Sequence, residues 1–145
     1  MNIVTNKNVL CTSIHKGSIN FLNEWWNSVI NQTNLDFDIV ISIDGLNFDL
    51  DKLLYGHEKF NIKLFYFNQD KTIGEIRNII IEYCSENYDQ VIFVDSDDIL
   101  AKNRVAISVD SLEVYDFTFC KTNLINEEGT DLPWVLKKNS SIKME

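Results

Sequence analysis

The chain is expected to fold as an α/β domain with a mostly parallel central sheet flanked by helices, on three observations. Short apolar runs alternate with stretches of helical period along most of its 145 residues, the pattern of successive βαβ units. The run Val91-Ile-Phe-Val94 has the near-continuous apolar character of a strand buried on both faces, and it stops abruptly in acids. A second run also ends in an acid, Asp44. Both acids therefore fall at the carboxyl-end edge of the sheet, where such folds bind ligands.

In chain order, residues 9–14 read as the first strand, followed by a turn at His15-Lys16-Gly17 and by Ser18, placed to cap a helix. Leu22, Trp25, Trp26, Val29 and Ile30 then recur at helical spacing, which favours core packing over sugar stacking for at least one of the tryptophans. Residues 37–43 form a second strand. A polar stretch with a weakly helical patch at 50–55 leads to a third strand at 62–67. Thr72 and Glu75 fit a capping box that opens a helix with Ile73, Ile76, Ile80 and Tyr83 on one face. Residues 91–94 are the fourth strand, 103–113 a further helix and 115–122 a fifth strand. The segment 126–145 holds the only proline, Pro133, and a polar tail expected to be loosely held.

Composition narrows the function. Hydrophobic residues make up 45% and aromatic residues 12%, as in a globular domain. A net charge of −9 without a basic stretch argues against nucleic-acid binding and leaves a phosphate ligand dependent on a metal or on locally placed cations. Cys11, Cys84 and Cys120 are widely spaced and form no Cys-x-x-Cys pair, which suits a reduced, cytoplasmic protein. No secretory leader or transmembrane segment is evident, so the expectation is a single soluble domain over residues 1–145. His15 and His57 read as turn or surface positions.

Asp95, Asp97 and Asp98 put three carboxylates within four positions. Crowded acids of this kind suit Mg²⁺ or Mn²⁺ shared with a substrate phosphate. The plainer alternative is a solvated turn, because Asp and Ser both favour turns. The sequence also eliminates rivals. Lys16-Gly17-Ser18 lacks the upstream glycine loop of a P-loop, no Gly-x-Gly-x-x-Gly occurs, and the first strand does not end in the acidic pair of a phospho-receiver domain.

Five motifs in order, Asn8-Val-Leu-Cys-Thr-Ser-Ile14, Trp26-Asn-Ser-Val-Ile-Asn-Gln-Thr33, Ile41-Ser-Ile-Asp-Gly45, Gly74-Glu-Ile-Arg-Asn78 and Phe93-Val-Asp-Ser-Asp-Asp98, resemble those of family-2 glycosyltransferases. The resemblance spans residues 8–122 and implies the GT-A (Rossmann-like) nucleotide-diphospho-sugar transferase fold. It implies that Asp95 and Asp97 form the Asp-x-Asp that contacts the ribose and a divalent cation, with Asp97 the direct ligand and Asp98 in support. Ser96 lies between them among the donor contacts. Asp44 matches the acid that accepts the ring N–H of the nucleobase, usually uracil. Arg77 and Asn78 match the Arg-Asn near the donor, and Thr12 the strand position that touches the nucleotide. The implied activity is metal-assisted, inverting transfer from a nucleotide-sugar, UDP-linked, to a saccharide or lipid-linked acceptor.

Departures from the family pattern leave two other readings open. The usual acceptor segment with its general base is not matched: Glu127, Glu128 and Asp131 flank Gly129 in an apparent turn, and the catalytic base stays unassigned. The first strand also has Thr12 and Ser13 where the family commonly has proline. A non-catalytic or truncated nucleotide-sugar-binding module is therefore one alternative. A nucleotidyltransferase-like enzyme is the other, weakened because only Lys16 is basic after the first strand. Arg77 has no acid three or four residues away on its helix, so pairing with a strand-end acid is its plain structural role.

Overall fold

The computed structural model describes residues 7–133. Four strands, β1 (Asn8–His15), β2 (Asp38–Asp44), β3 (Ile62–Phe67) and β4 (Gln90–Phe93), form one parallel sheet in the order β3-β2-β1-β4. Helix α1 (Leu22–Ile30) and the short α2 (Leu50–Leu53) cover one face together with α4 (Arg104–Leu112), while α3 (Ile73–Asn87) covers the other. Being parallel, all four strands deliver their carboxyl ends to one edge. The chain runs outward from β1 to β3 and then crosses to β4 on the far side of β1. The carboxyl ends of β1 and β4 thus flank the switch point at which such sheets open a crevice.

The sequence accounts for most of these elements directly. β2 is buried along nearly its whole length, as a central parallel strand must be. Leu22, Trp25, Trp26 and Val29 form the buried stripe of α1. Both tryptophans are fully enclosed; the Trp26 Nε1 donates to the Tyr55 carbonyl at 2.7 Å and its ring packs edge-on to Phe60. Neither is available to stack on a sugar. On the opposite face, Val9, Cys11 and Val40 meet Ile80, Cys84 and Tyr88 of α3 and its end. The Cys11 and Cys84 sulfurs lie 3.2 Å apart as free thiols, and this contact, with burial, pushes the Cys11 thiol far up.

Helix α3 begins in the expected capping box. Thr72 Oγ1 accepts the Glu75 N–H, and Glu75 Oε2 accepts both the Thr72 N–H at 2.7 Å and its hydroxyl at 2.8 Å. These bonds, the Thr72 N–H foremost, hold the Glu75 carboxyl below its ordinary pKa. At the amino end of the sheet the buried Asp38 accepts from Asn61 and from the Tyr88 hydroxyl. Burial first, and then the Asp38 charge, raises the Tyr88 phenol.

Two expectations are corrected. Ser18 does not cap α1; its hydroxyl donates to the His15 carbonyl and accepts the His15 N–H, and a 3₁₀ turn at Ile19–Phe21 precedes the helix. Residues 115–122 form no strand: Phe117 and Phe119 are 72% and 83% exposed, because alternation supplies strand propensity but no partner edge. The pairing beyond α4 is instead a small antiparallel one, β5 (Leu124–Ile125) with β6 (Asp131–Leu132), around the Asn126–Gly129 turn. Most of the tail expected to be loosely held, residues 134–145, lies outside the described residues. No helix among the described residues is long and apolar enough to cross a membrane.

Replacing Thr72 with alanine should cost about 1 kcal/mol in urea unfolding at neutral pH without changing the m-value. Because the pKa of Glu75 is depressed in the folded state, its contribution is present above the ordinary glutamate range and lost as pH falls through the lowered value. The gap between wild type and Thr72→Ala should therefore narrow in acid. A gap independent of pH would detach the carboxylate from the cap.

Candidate functional site

The carboxyl edge of the sheet opens into two adjoining cavities. The smaller, about 290 Å³, is lined by Asp44, Gln69, Arg77, Asp95, Ser96 and Asp97. The larger, about 980 Å³, begins at Thr12 and the same Arg77, Asp95 and Asp97, and extends past Asp98 over apolar side chains such as Ile80 and Phe93. Of the residues singled out from the sequence, Asp44, Arg77, Asp95, Ser96 and Asp97 thus meet in one place, and Thr12 lies on the adjoining wall. Asn78 is exposed and lines neither cavity; one residue turns a helix by about 100°, which carries it off the face that Arg77 presents.

The acidic loop is held from beneath. Val94 continues the ladder by donating to the Cys11 carbonyl at 3.0 Å. Ser96, 2% exposed, donates its hydroxyl to the Ser13 carbonyl at 2.6 Å. Ser96, expected among the donor contacts, lines the smaller cavity, and its hydroxyl ties the loop to β1. An Asp98 N–H to Asp95 carbonyl bond of 3.3 Å closes the turn. The acids on either side of the anchored serine, Asp95 and Asp97, remain exposed. Burial first, then the charges of Asp95 and Asp97, raises the Asp98 carboxyl. Downstream, Gln32 at the end of α1 donates to the Ala101 carbonyl and accepts the Val105 N–H, fixing the loop's return into α4. Gln32 belongs to a motif noted in the sequence, but its clamp joins residues 69 and 73 positions apart and carries no local signal.

Arg77 reaches Asp95 with Nη2 to Oδ1 at 3.4 Å, both side chains well exposed. A long, solvated pair of this kind contributes little stability, so the guanidinium keeps donors to offer elsewhere. Asp44, at the end of β2, accepts the Gln69 backbone N–H on Oδ1 at 2.8 Å. Thr12 is 4% exposed, and its Oγ1 has no partner among the described residues. His15 accepts the Gly17 N–H at Nδ1 and stays exposed in its turn, while His57 pairs with Asp51 away from the site. Of the acids near the chain's end, Asp131 lines the larger cavity and Glu127 and Glu128 do not.

Carboxylate oxygens are hard donors, and Asp95 and Asp97 fit Mg²⁺ or Mn²⁺ in kind. Among the described residues no three His, Cys, Asp or Glu side chains form a ready cage. The arrangement suits a cation that takes further ligands from a phosphate.

Residues 11–144 match the family described as glycosyl transferase family 2. The chain belongs to that family. Its relatives include an uncharacterized glycosyltransferase of Rickettsia bellii, 29% identical over 104 residues and covering 70% of this chain and 15% of the relative. Another, from Rickettsia felis, is 30% identical over 113 residues, covering 77% and 18%. The family-2 chain therefore spans less than a fifth of the length of these relatives. Among solved structures it resembles Staphylococcus aureus TarS 1–349 in complex with UDP, with a TM-score of 0.58 at 20% identity over 74% of this chain and 32% of that one. The UDP-GlcNAc complex of the same protein gives 0.55 at 22% identity over 73% and 30%. These likenesses establish the GT-A fold.

Ser96→Ala should cost roughly 1–3 kcal/mol in denaturant unfolding, since it leaves the partly buried Ser13 carbonyl without that donor. A loss below about 0.5 kcal/mol would show that the loop is held by its backbone bonds alone.

Proposed function

We propose that this family-2 chain carries the donor site of a glycosyltransferase that transfers a sugar from a nucleoside-diphosphate donor, a UDP-sugar, to a hydroxyl of a saccharide or lipid-linked acceptor. The observation that supports it is the meeting of Asp44, Arg77, Asp95 and Asp97 around one cavity in a chain of this family. Residues 1–145 are read as one GT-A unit. A nucleotide-linked donor agrees with the UDP and UDP-GlcNAc complexes of TarS.

In this reading the free oxygen of Asp44 accepts the ring N–H of uracil, and Thr12 borders the nucleotide from the wall of β1. Arg77 directs its donors at the diphosphate, with a fork geometry suited to paired oxygens. Asp97 would hold Mg²⁺ or Mn²⁺, and Asp95 would serve both the ribose and the ion. The bound ion supplies neutralisation of the charge that grows on the departing diphosphate. Transfer breaks the bond between the anomeric carbon and the diphosphate oxygen and forms one to the acceptor oxygen from the opposite face, inverting the centre. The acceptor enters from the larger cavity, whose polar rim and apolar floor suit a sugar carried on a lipid.

A thermal-shift series with UDP, GDP, CDP and ADP, each with Mn²⁺ or EDTA, tests the donor site. A ligand at about 100 times its dissociation constant adds roughly 2.7 kcal/mol, enough to raise the midpoint by several degrees. UDP with Mn²⁺ should do so, and EDTA or Asp97→Ala should abolish the shift. No shift with any nucleotide would overturn the proposal. Arg77→Ala should weaken UDP binding roughly tenfold or more while leaving uridine unchanged, as loss of a charge-assisted contact to the diphosphate requires; an equal loss for both would remove Arg77 from that role. Release of UDP from a donor panel, with and without saccharide and lipid-linked acceptors, separates an enzyme from a binding module.

A further inference from the structure

Gln69 sits immediately beyond β3 in a conformation that side chains avoid. Its φ is +58°, the only positive value among the described residues other than glycine. Strain of this order persists where the surroundings enforce it, and it gathers at binding sites. Two contacts enforce it here. The Gln69 N–H is turned onto Asp44 Oδ1 at 2.8 Å. Its side chain lies flat over Gly45, so that a Cβ built on Gly45 would stand 2.6 Å from Gln69 Cγ and 2.7 Å from its amide carbon and Nε2. Gly45 itself has φ +65° and donates its N–H to the Phe67 carbonyl. The turns that end β2 and β3 are thereby locked into each other, and Asp44 and Gln69 border the smaller cavity.

We infer that Gln69 is a specificity-determining residue of the donor site, pairing its side-chain amide with a carbonyl beside the ring N–H of uracil. The inference rests on the donor reading above and adds the residue that distinguishes the base. An Asp44 carboxylate with Oδ1 anchored by the Gln69 N–H presents its other oxygen to a single N–H. That atom alone is a one-point reader. The Gln69 amide supplies a neutral donor beside it, and among the described residues it makes no hydrogen bond of its own. Together the two groups match adjacent atoms of an imide edge, the N–H for Asp44 and the carbonyl for Nε2. Cytosine presents a lone pair in place of that N–H and would set it against the carboxylate. The strained backbone serves this match: an unstrained residue would withdraw the N–H from Asp44 or swing the amide off the rim.

Calorimetric titration of the 145-residue chain with UDP and with CDP, both with Mn²⁺, tests the inference on Gln69→Ala and Gln69→Gly. Glycine adopts φ +58° freely and keeps the N–H on Asp44, so that variant folds at least as well as wild type and isolates the amide. Both substitutions should weaken UDP about fivefold to tenfold and leave CDP unchanged, shrinking the UDP preference by the same factor. An unchanged UDP-to-CDP ratio in Gln69→Gly, or an equal loss for both nucleotides, would overturn the inference while leaving the donor site intact. Failure of wild type to bind any nucleotide would overturn both it and the donor reading.

Discussion

β1 is paired on both edges, to β2 and to β4, and covered on both faces. A strand so enclosed cannot satisfy its backbone with water, so its last carbonyls need partners from the loops that pass over its end. Cys11 takes the N–H of Val94, and Ser13 takes the hydroxyl of Ser96. The acidic loop is therefore laid across the end of β1 by the same requirement that keeps the strand in the core. Asp95 and Asp97, on either side of the anchored serine, are left facing out over the switch point. Core and site are connected through the Cys11 and Ser13 carbonyls at this edge.

A second consequence concerns how the carboxylates are shared. Arg77 comes from the face opposite α1 and meets Asp95 only at the sheet's edge, while Asp44 is held by a backbone N–H from the loop after β3. Each acid has one partial partner. Asp98, beside the charges of two other acids, holds its proton more tightly. The edge is thus short of positive charge in a chain whose net charge is already −9.

Sequence pattern revealed the parts of the molecule whose signals are local. The period of α1, the capping box of α3 and the apolar run into Asp95 each depend on residues a few positions apart, and each element formed within a residue or two of expectation. The order of motifs then gave the family. What stayed hidden depends on distant pairs or on backbone state. Nothing near Ser96 in the sequence announces its bond to a carbonyl 83 positions away. Residues 115–122 alternate as a strand does, yet a strand needs an edge to join, and sequence cannot report that Phe117 and Phe119 remain uncovered. Gln69 carries no glycine or asparagine signal for positive φ; it adopts that conformation because Asp44 and Gly45 hold it there.

The shortage of positive charge also orders the events at the site. In the proposed reading, a diphosphate approaching Asp95, Asp97 and Asp98 would meet repulsion that Arg77, already turned toward Asp95, only partly offsets. In the proposed donor site, a cation held by Asp95 and Asp97 would offset that repulsion and leave the guanidinium to the phosphate oxygens. Nucleotide and cation should therefore bind with positive coupling, each raising the affinity for the other by the same factor. Asp44 and Gln69 stand apart from this exchange. In the proposed reading their recognition would use a carboxylate oxygen and a neutral amide, so discrimination of the base should persist where the diphosphate is absent and the cation is withheld. On that reading affinity and specificity would fall to different ends of one cavity, the first to the loop after β4 and the second to the interlocked turns after β2 and β3.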